Sequence, residues 1–427
     1  MKPCPLLNSS SFIQLALGRC SLVLLSILIS WPIANAQEEE VDYTDQVFSD
    51  RIKSIKFHPL DFPISPPVLP LNGDTRLLLS FDDLDKDAKN YVYMVVHCNA
   101  DWTPSELMEL DYMNTFTEDE IQEYNFSFNT LMPYTHYELE LPNDNFQWTI
   151  SGNYLLKVYD DEGDRKLVFT RRFFVVDPMM IVTANMTPTA QVSNRKTHHE
   201  FDFEIIHKDI KINSPSQEIQ VVIRQNNRWD NAITDLPPAF IKREEQRLVY
   251  NYQNKVLFPA SKEFRFLDMR TFRFLGPGIA DLVEADNFYE VYIAPDESRA
   301  YSPFVSAPDL NGDYVIESLD TDNPEIRGDY AEVMFTLMRN LDYEDADVYV
   351  IGGFTDWKLR EEFKMVYNPH IPAYVTKGLL KEGFYDYAYA YIEKGSQRFD
   401  LSELEGNSFE TRNQYSILVI SSRFWIW

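Results

Sequence analysis

Short apolar runs bounded by turn-forming residues recur along most of the chain, and they constrain its fold more than any other feature. Residues 201–205 alternate apolar and polar side chains strictly, as a half-buried strand does, and residues 160–163 (Asp-Asp-Glu-Gly) are typical of a hairpin turn. Only residues 118–124, with Thr117 as N-cap, have a helical pattern. The sequence therefore predicts an all-β fold of tandem antiparallel β-sandwich domains, immunoglobulin-like or early-set in type.

The first 36 residues have the features of a signal peptide. Lys2 and Arg19 precede an apolar run over residues 21–33, and residues 34–36 (Ala-Asn-Ala) have the small-x-small form that signal peptidase cleaves. The run is shorter than the roughly 20 residues that cross a bilayer. We expect cleavage, a mature chain from Gln37, export and no insertion into a membrane.

The charge balance is strongly acidic. The full chain carries 39 basic and 67 acidic side chains, and loss of Lys2 and Arg19 would take the net charge from −28 to −30. Nucleic acids and anionic lipids bind through cationic neutralisation, so we expect neither as a partner. Cys98 would be the only cysteine left, which excludes an intrachain disulfide.

The spacing of apolar runs divides the mature chain into three β domains. Residues 37–178 form the predicted N-terminal immunoglobulin-like sandwich, residues 179–308 a middle β domain, and residues 309–427 a C-terminal early-set sandwich.

A catalytic site is not expected. His97, Cys98 and Asp101 contain a possible nucleophile and base, but a thiolate needs a nearby cation or helix N-terminus, and an acid follows instead. We predict that Cys98 is structural and that the protein is not an enzyme. A hydrolase using His97 and Asp101 is the least favoured alternative.

Two acidic or histidine-rich patterns resemble metal sites only in part, and we predict no metal and no cofactor. Asp83, Asp85 and Asp87 imitate the start of a calcium loop, but Ala88 stands where glycine is required. His198 and His199 are adjacent in a predicted strand, so their side chains point to opposite faces.

Aromatic side chains crowd residues 91–143. Exposed aromatics among polar residues are typical of protein interfaces, and burial in the core is the equally weighted alternative. We predict a partner interface that includes Asp101, Trp102, Tyr112, Tyr134 and Tyr137.

The stretch 350–357 (Val-Ile-Gly-Gly-Phe-Thr-Asp-Trp) resembles early-set domains, which include glycogen-binding modules. In such modules an exposed tryptophan stacks on sugar. Trp357 is therefore a candidate glycan-stacking residue, and a carbohydrate-binding periplasmic or surface protein is the alternative function. A Trp357 that closes the sandwich is the favoured interpretation.

Several ordered motifs resemble the plug proteins of the type IX secretion system. They are residues 97–105 (His-Cys-Asn-Ala-Asp-Trp-Thr-Pro-Ser), 126–130 (Phe-Ser-Phe-Asn-Thr), 133–137 (Pro-Tyr-Thr-His-Tyr) and 141–143 (Leu-Pro-Asn). The resemblance continues through residues 151–175 and recurs at 352–357 and 381–387.

This resemblance implies a periplasmic protein, monomeric when free, that binds the outer-membrane translocon β-barrel and occludes its periplasmic mouth. We predict that residues 101–115 and 133–137 hold the contact side chains. The sequence departs from the family pattern at its C-terminal end, where it stops at Trp427 instead of continuing into a polar tail. We therefore expect an altered last strand at the edge of the third domain.

Overall fold

A computed structural model describes residues 43–114 and 117–421. The predicted signal peptide, residues 1–36, and the end of the chain, residues 422–427, lie outside this part. Within the described residues, strands dominate and helices are single turns, which confirms the all-β prediction.

The N-terminal sandwich, as we call the fold of residues 43–177, consists of two sheets. One has the strand order β1-β10-β9-β5-β6 with β3 alongside β10, and the other has the order β2-β4-β8-β7. In chain order, β1 to β10 are Gln46–Val47, Ile52–Pro59, Val68–Pro70, Leu77–Asp83, Tyr91–Cys98, Glu118–Glu120, Glu123–Phe126, Thr135–Leu141, Gly152–Asp160 and Lys166–Val176.

Strand β5 is apolar on both faces, and each face packs in a different cluster. Tyr91, Tyr93 and Val95 alternate into the core between the two sheets, where they meet side chains of β4, β8 and β10. Val96 and Cys98 point to the opposite face and pack in a second cluster with Trp229 and Leu418, which come from far along the chain. Because both faces of β5 are apolar, it is a central strand covered on each side.

The hairpin at residues 160–163 is confirmed, because β9 and β10 pair antiparallel on either side of it and Gly163 has φ 70°. The helix predicted at residues 118–124 is wrong. Glu118–Glu120 pairs with β5 and Glu123–Phe126 pairs with β8. Seven residues are too few for a stable isolated helix, so sheet pairing outweighs the capping signals.

The middle sandwich consists of a five-stranded sheet packed against the strand pair β13-β27. The order of the five-stranded sheet is β11-β12-β15-β14, with β16 beside β12. Phe203, Ile205, Val221, Leu248 and Tyr250 form its core. Its strands β11 to β16 are Ile181–Thr187, His198–Ile206, Ile219–Gln225, Phe240–Lys242, Arg247–Tyr250 and Leu257–Pro259, and β27 is Tyr415–Ser421.

The C-terminal sandwich consists of ten strands that surround one core. Its order is β17-β26-β23-β24-β25-β22-β19-β18, with β20 beside β22 and β21 beside β26. Strands β17 to β26 are Arg265–Met269, Ile279–Glu284, Tyr289–Ile293, Asp296–Glu297, Tyr314–Ile316, Tyr330–Met338, Ala346–Ile351, Lys364–Asn368, Ala373–Lys381 and Gly383–Glu393.

The short helices are single turns between strands. Helices α1 to α4 are Glu109–Tyr112, Pro215–Glu218, Pro324–Arg327 and Ser402–Glu405, and 3-10 turns occupy Val192–Asn194, Gly353–Thr355 and Glu361–Phe363.

Several long-range pairings cross the boundaries predicted from spacing. Strands β17 to β20 lie before residue 308 yet join the sheet of the C-terminal sandwich, and β27 lies after residue 308 yet pairs with β13 of the middle sandwich. The last described strand is therefore not an edge of the third predicted domain. Spacing along the chain locates strands but does not say which strands pair. Whether residues 37–178, 179–308 and 309–427 fold separately stays a prediction.

Candidate functional site

A tight turn at residues 99–103 positions Trp102. The Asn99 N–H donates to the Thr103 carbonyl at 2.8 Å, and the Thr103 hydroxyl donates to Asp101 Oδ1 at 2.6 Å. Trp102 has φ 67°, a left-handed conformation that is costly for a bulky residue and persists only where surrounding structure enforces it. The turn directs the indole inward, and Asp101 remains at the surface.

Trp102 is buried where the N-terminal and middle sandwiches meet. Its ring lies 5.5 Å from those of Phe174 and Trp229, and the Arg172 guanidinium lies 4.3 Å from its centre. Trp229 belongs to the segment after β13. Trp102 therefore attaches the N-terminal sandwich to the middle one.

Tyr134 is buried at a different contact, between the N-terminal and C-terminal sandwiches. Its hydroxyl donates to the Gly328 carbonyl at 2.8 Å, its ring lies 5.5 Å from Tyr330, and Lys381 Nζ lies 4.2 Å from its ring centre.

Beside Tyr134 lies a group of buried charges that we call the lysine junction: Asp82, His136, Tyr330 and Lys381. Asp82 accepts hydrogen bonds from Lys381 Nζ at 2.7 Å and from the Tyr330 hydroxyl at 2.6 Å, and His136 Nδ1 lies 2.6 Å from its other oxygen. Lys381 Nζ also donates to the Glu325 carbonyl. Every strong donor here faces an acceptor.

Each pKa in the lysine junction follows from burial and these contacts. Burial alone would raise the pKa of Asp82, but Lys381 and His136 outweigh it and hold that pKa below its usual value. Burial lowers the pKa of Lys381, and Asp82 offsets this only in part. Burial also opposes protonation of His136, yet hydrogen bonds to Asp82 and Glu138 raise its pKa.

Tyr112 and Tyr137 lie inside the N-terminal sandwich. The Tyr137 ring stacks on Phe81 at 5.0 Å, and the Tyr112 hydroxyl donates to the Val95 carbonyl at 3.3 Å. Of the five residues predicted to contact a partner, only Asp101 lies at the surface; Trp102, Tyr112, Tyr134 and Tyr137 are buried. Their role in contacting a partner stays a prediction. In the structure, each of the four packs against other residues of the same chain.

The exposed apolar side chains of this stretch are different ones. Tyr124 and Phe126 on β7 are 45% and 54% exposed, and Phe128 in the following turn is 64% exposed. β7 is the last strand of its sheet, so no described strand covers its outer edge. The signal available in the sequence was the alternation of aromatic residues at 124, 126 and 128. We call these three residues the aromatic edge.

His97 and Cys98 are buried at the end of β5. Burial lowers the pKa of His97 to about 4 and raises the pKa of the Cys98 thiol to about 12, so the thiol stays protonated at neutral pH. The His97 ring bonds Ser105 Oγ at 2.8 Å. Hydrogen bonds from Thr103 lower the pKa of Asp101. This arrangement supplies no thiolate nucleophile.

Trp357 is half-buried in a turn of the C-terminal sandwich. The Arg228 guanidinium lies 4.6 Å from its ring centre, and the Phe264 ring packs edge-on at 5.5 Å. Gly312, with φ 85°, lies so close that a Cβ there would be 2.4 Å from the indole. Side chains and backbone of the same chain thus contact the Trp357 ring. Sugar stacking by Trp357 stays a prediction.

The partial metal patterns have other contacts. Asp83 accepts from the Tyr91 hydroxyl at 2.6 Å, and His199 bonds the Tyr415 hydroxyl and the Phe409 carbonyl, each at 2.8 Å. Within residues 43–114 and 117–421, no three His, Cys, Asp or Glu side chains are grouped so that they could hold a metal ion.

None of the helices in the described part of the chain has the length and apolar character to span a bilayer.

A protein family and a crystal structure are similar to this chain. The family described as "Type 9 secretion system plug protein 1st domain" matches residues 52–177, which correspond to most of the N-terminal sandwich. A crystal structure of a hypothetical protein from Parabacteroides merdae is 33% identical, with a TM-score of 0.85 over 90% of this chain and 96% of that one. Comparison with curated proteins gave no match. The chain belongs to the plug protein family of the type IX secretion system.

Proposed function

We propose that this protein is a periplasmic, non-enzymatic plug subunit that binds the outer-membrane translocon barrel of the type IX secretion system and occludes its periplasmic mouth. The observation that carries the proposal is the family match over residues 52–177. Membership of a secretion-system family supports a partner within that system.

The packing between sandwiches supports a steric role. Trp102 and Tyr134, both in the stretch that resembles the family, attach the N-terminal sandwich to the middle and C-terminal ones. A body that blocks a wide pore must resist bending, and buried contacts at two separate places supply that resistance.

The aromatic edge is our candidate for the docking surface. An uncovered strand edge offers backbone donors and acceptors for a partner strand, and exposed aromatic rings supply apolar anchors. Glu118, Glu120 and Glu123 flank it, so the complementary surface on the barrel should be basic.

The test is affinity capture of the tagged full-length protein from detergent-solubilised membranes. We expect the barrel to co-purify at low and moderate salt, and the double variant Tyr124→Ser/Phe126→Ser to recover at least tenfold less of it. Phe240→Ser is the matched control, because Phe240 is also an exposed aromatic on an edge strand, in the middle sandwich.

Absence of the barrel from the wild-type capture at both salt concentrations would count against the function. Equal capture by the double variant would reject only the aromatic edge. Deletion of the protein should also let a normally excluded dye cross the outer membrane, since an unplugged barrel is an open pore.

A further inference from the structure

A pocket lies where all three sandwiches meet, and it has no role in the proposed plug function. It encloses about 170 Å³. Arg172 and Phe174 of β10 line it from the N-terminal sandwich, Arg224 and Trp229 from the middle sandwich, and Tyr314 from the C-terminal sandwich. We call it the arginine pocket.

Arg224 is the unusual residue of this pocket. It lies on β13, it is only 3% exposed, and its guanidinium packs 4.6 Å from the ring centre of Trp229 and 5.4 Å from that of Phe174. Its Nε has no hydrogen-bond partner, and no carboxylate of the described residues forms an ion pair with it. Burial lowers the pKa of Arg224 to about 10, so the side chain remains charged at neutral pH.

A second guanidinium adds to the positive charge. Arg172 lies 4.7 Å from the ring centre of Trp229, so the indole contacts two cations. Arg172 Nε donates to the Tyr43 carbonyl at 2.7 Å, and its backbone N–H donates to Asp45, whose charge also favours the charged form of Arg224.

The remaining charges that line the pocket are paired. Lys56 Nζ lies 3.1 Å from Asp313, and Arg171 lies 3.4 Å from Asp356. Among the described residues, Asp45 is the acid that favours the charged form of Arg224, and Arg172 opposes it, inside a protein whose net charge is −28. A buried charge without a counterion is expensive, whereas a bound anion would remove that cost.

The chemistry of the pocket defines what would fit. A guanidinium presents N–H donors in a planar fork that matches the oxygens of a phosphate or carboxylate, and aromatic walls exclude water and strengthen the attraction. The volume is below the roughly 300 Å³ at which pockets begin to accept drug-sized ligands, so the occupant must be small.

We propose that the arginine pocket is a binding site for a small oxyanion, phosphate or short-chain carboxylate, held by Arg224 between the rings of Phe174 and Trp229. The site stands on the geometry of these residues and does not depend on binding to the translocon.

The test is calorimetric titration of the full-length protein with inorganic phosphate and, separately, with succinate, each at constant ionic strength set with sodium chloride. We expect saturable binding of at least one anion. Arg224→Met, which keeps an apolar side chain against the rings, should weaken that binding at least tenfold. Arg224→Lys keeps the charge without the fork and should weaken it to an intermediate degree.

Arg273→Gln is the control, because Arg273 is an exposed arginine paired with Asp320 on the C-terminal sandwich, and this variant should bind as the wild type does. Phosphate binding identifies a tetrahedral oxyanion and succinate binding a carboxylate. Absence of saturable binding to either anion, or equal affinity in Arg224→Met, would overturn the proposal. A crystal soaked in phosphate or succinate gives a readout that needs no variant, with the anion expected within hydrogen-bond distance of Arg224.

Discussion

Two of the contacts between the N-terminal sandwich and the rest of the chain, the lysine junction and the arginine pocket, compensate buried charge in opposite ways. In the lysine junction, Lys381 faces Asp82 at 2.7 Å, and His136 and Tyr330 complete the shell of that carboxylate. In the arginine pocket, Arg224 lies against two aromatic rings and forms no ion pair with an acid of the described residues. Both cations are buried, but an ion pair compensates the charge of Lys381, whereas the charge of Arg224 has no ion pair. A buried charge of the first kind stabilises the fold, and one of the second kind can bind an anion.

The largest expected effect is on the lysine junction. Lys381→Met should lower the free energy of unfolding by about 3–5 kcal/mol, because Asp82 would stay buried without its main counterion. Urea unfolding followed by tryptophan fluorescence measures this. The double variant Asp82→Asn/Lys381→Met should recover part of the loss, and a loss that is the sum of the two single variants would show that the pair is not coupled.

Trp229→Ala should have the next largest effect, a loss of about 2–3 kcal/mol. The half-buried indole supports both guanidiniums and the ring of Trp102, and truncation removes all of these contacts. The same unfolding experiment measures it. A loss below 1 kcal/mol would show that the stack contributes little to the attachment of the middle sandwich.

Smaller still is the pH dependence that His136 gives the lysine junction. Its pKa is raised in the folded state, so its contribution is fully present below the unfolded pKa of about 6.5 and is lost as the pH rises through the folded value. Between pH 6 and pH 8 the wild type should therefore lose more stability than His136→Gln. Glu382 and Asp386, whose pKa burial raises to about 7, add slope in the same direction to both proteins. Equal slopes in the two proteins would contradict the assignment.

The smallest effect on stability should come from Arg224→Met, within about 1 kcal/mol of the wild type, because removal of an unpaired buried charge offsets the lost ring contacts. The matched variant is Arg265→Met. Arg265 is also a buried arginine on a strand, but it pairs with Glu405 at 3.0 Å and with Asp296 at 2.5 Å. Its replacement should cost about 3–5 kcal/mol, because Asp296 would lose its cation and Glu405 would keep Arg299 but lose Arg265. Equal costs for the two arginines would show that the lack of an ion pair does not decide how much a buried arginine contributes to stability.

The sequence was sufficient for the fold class and for many individual strands. Alternation in residues 201–205 identified β12, and the turn at residues 160–163 identified the hairpin of β9 and β10. Pairing between distant strands was not predictable, since the partners of β17 and β27 depend on side chains more than 100 residues away. Local helix signals at residues 118–124 failed for the same reason, because sheet pairing with β5 and β8 decides the conformation there.

The candidate site was predictable by region but not by residue. The motifs of residues 91–143 lie within residues 52–177, which match the family. Composition could not separate Trp102 and Tyr134, which are buried between sandwiches, from Phe126 and Phe128, which are exposed. Arg224 carries no local signal at all. Its lack of a counterion depends on which acids the folded chain brings near, and a single sequence does not contain that information in readable form.

The pairing of β27 with β13 sets an order of events in biogenesis. Gln225 pairs with Tyr415, so roughly 190 residues must be made before the middle sandwich can close. The edge of β13 that carries Val221 and Ile223 therefore has no partner strand until the C-terminal sandwich has been synthesised. A nascent chain in that state is a natural client for holding chaperones, and a chain that loses residues 415–421 would keep this sticky edge permanently. The middle sandwich can therefore complete its fold only after residues 415–421 have been synthesised.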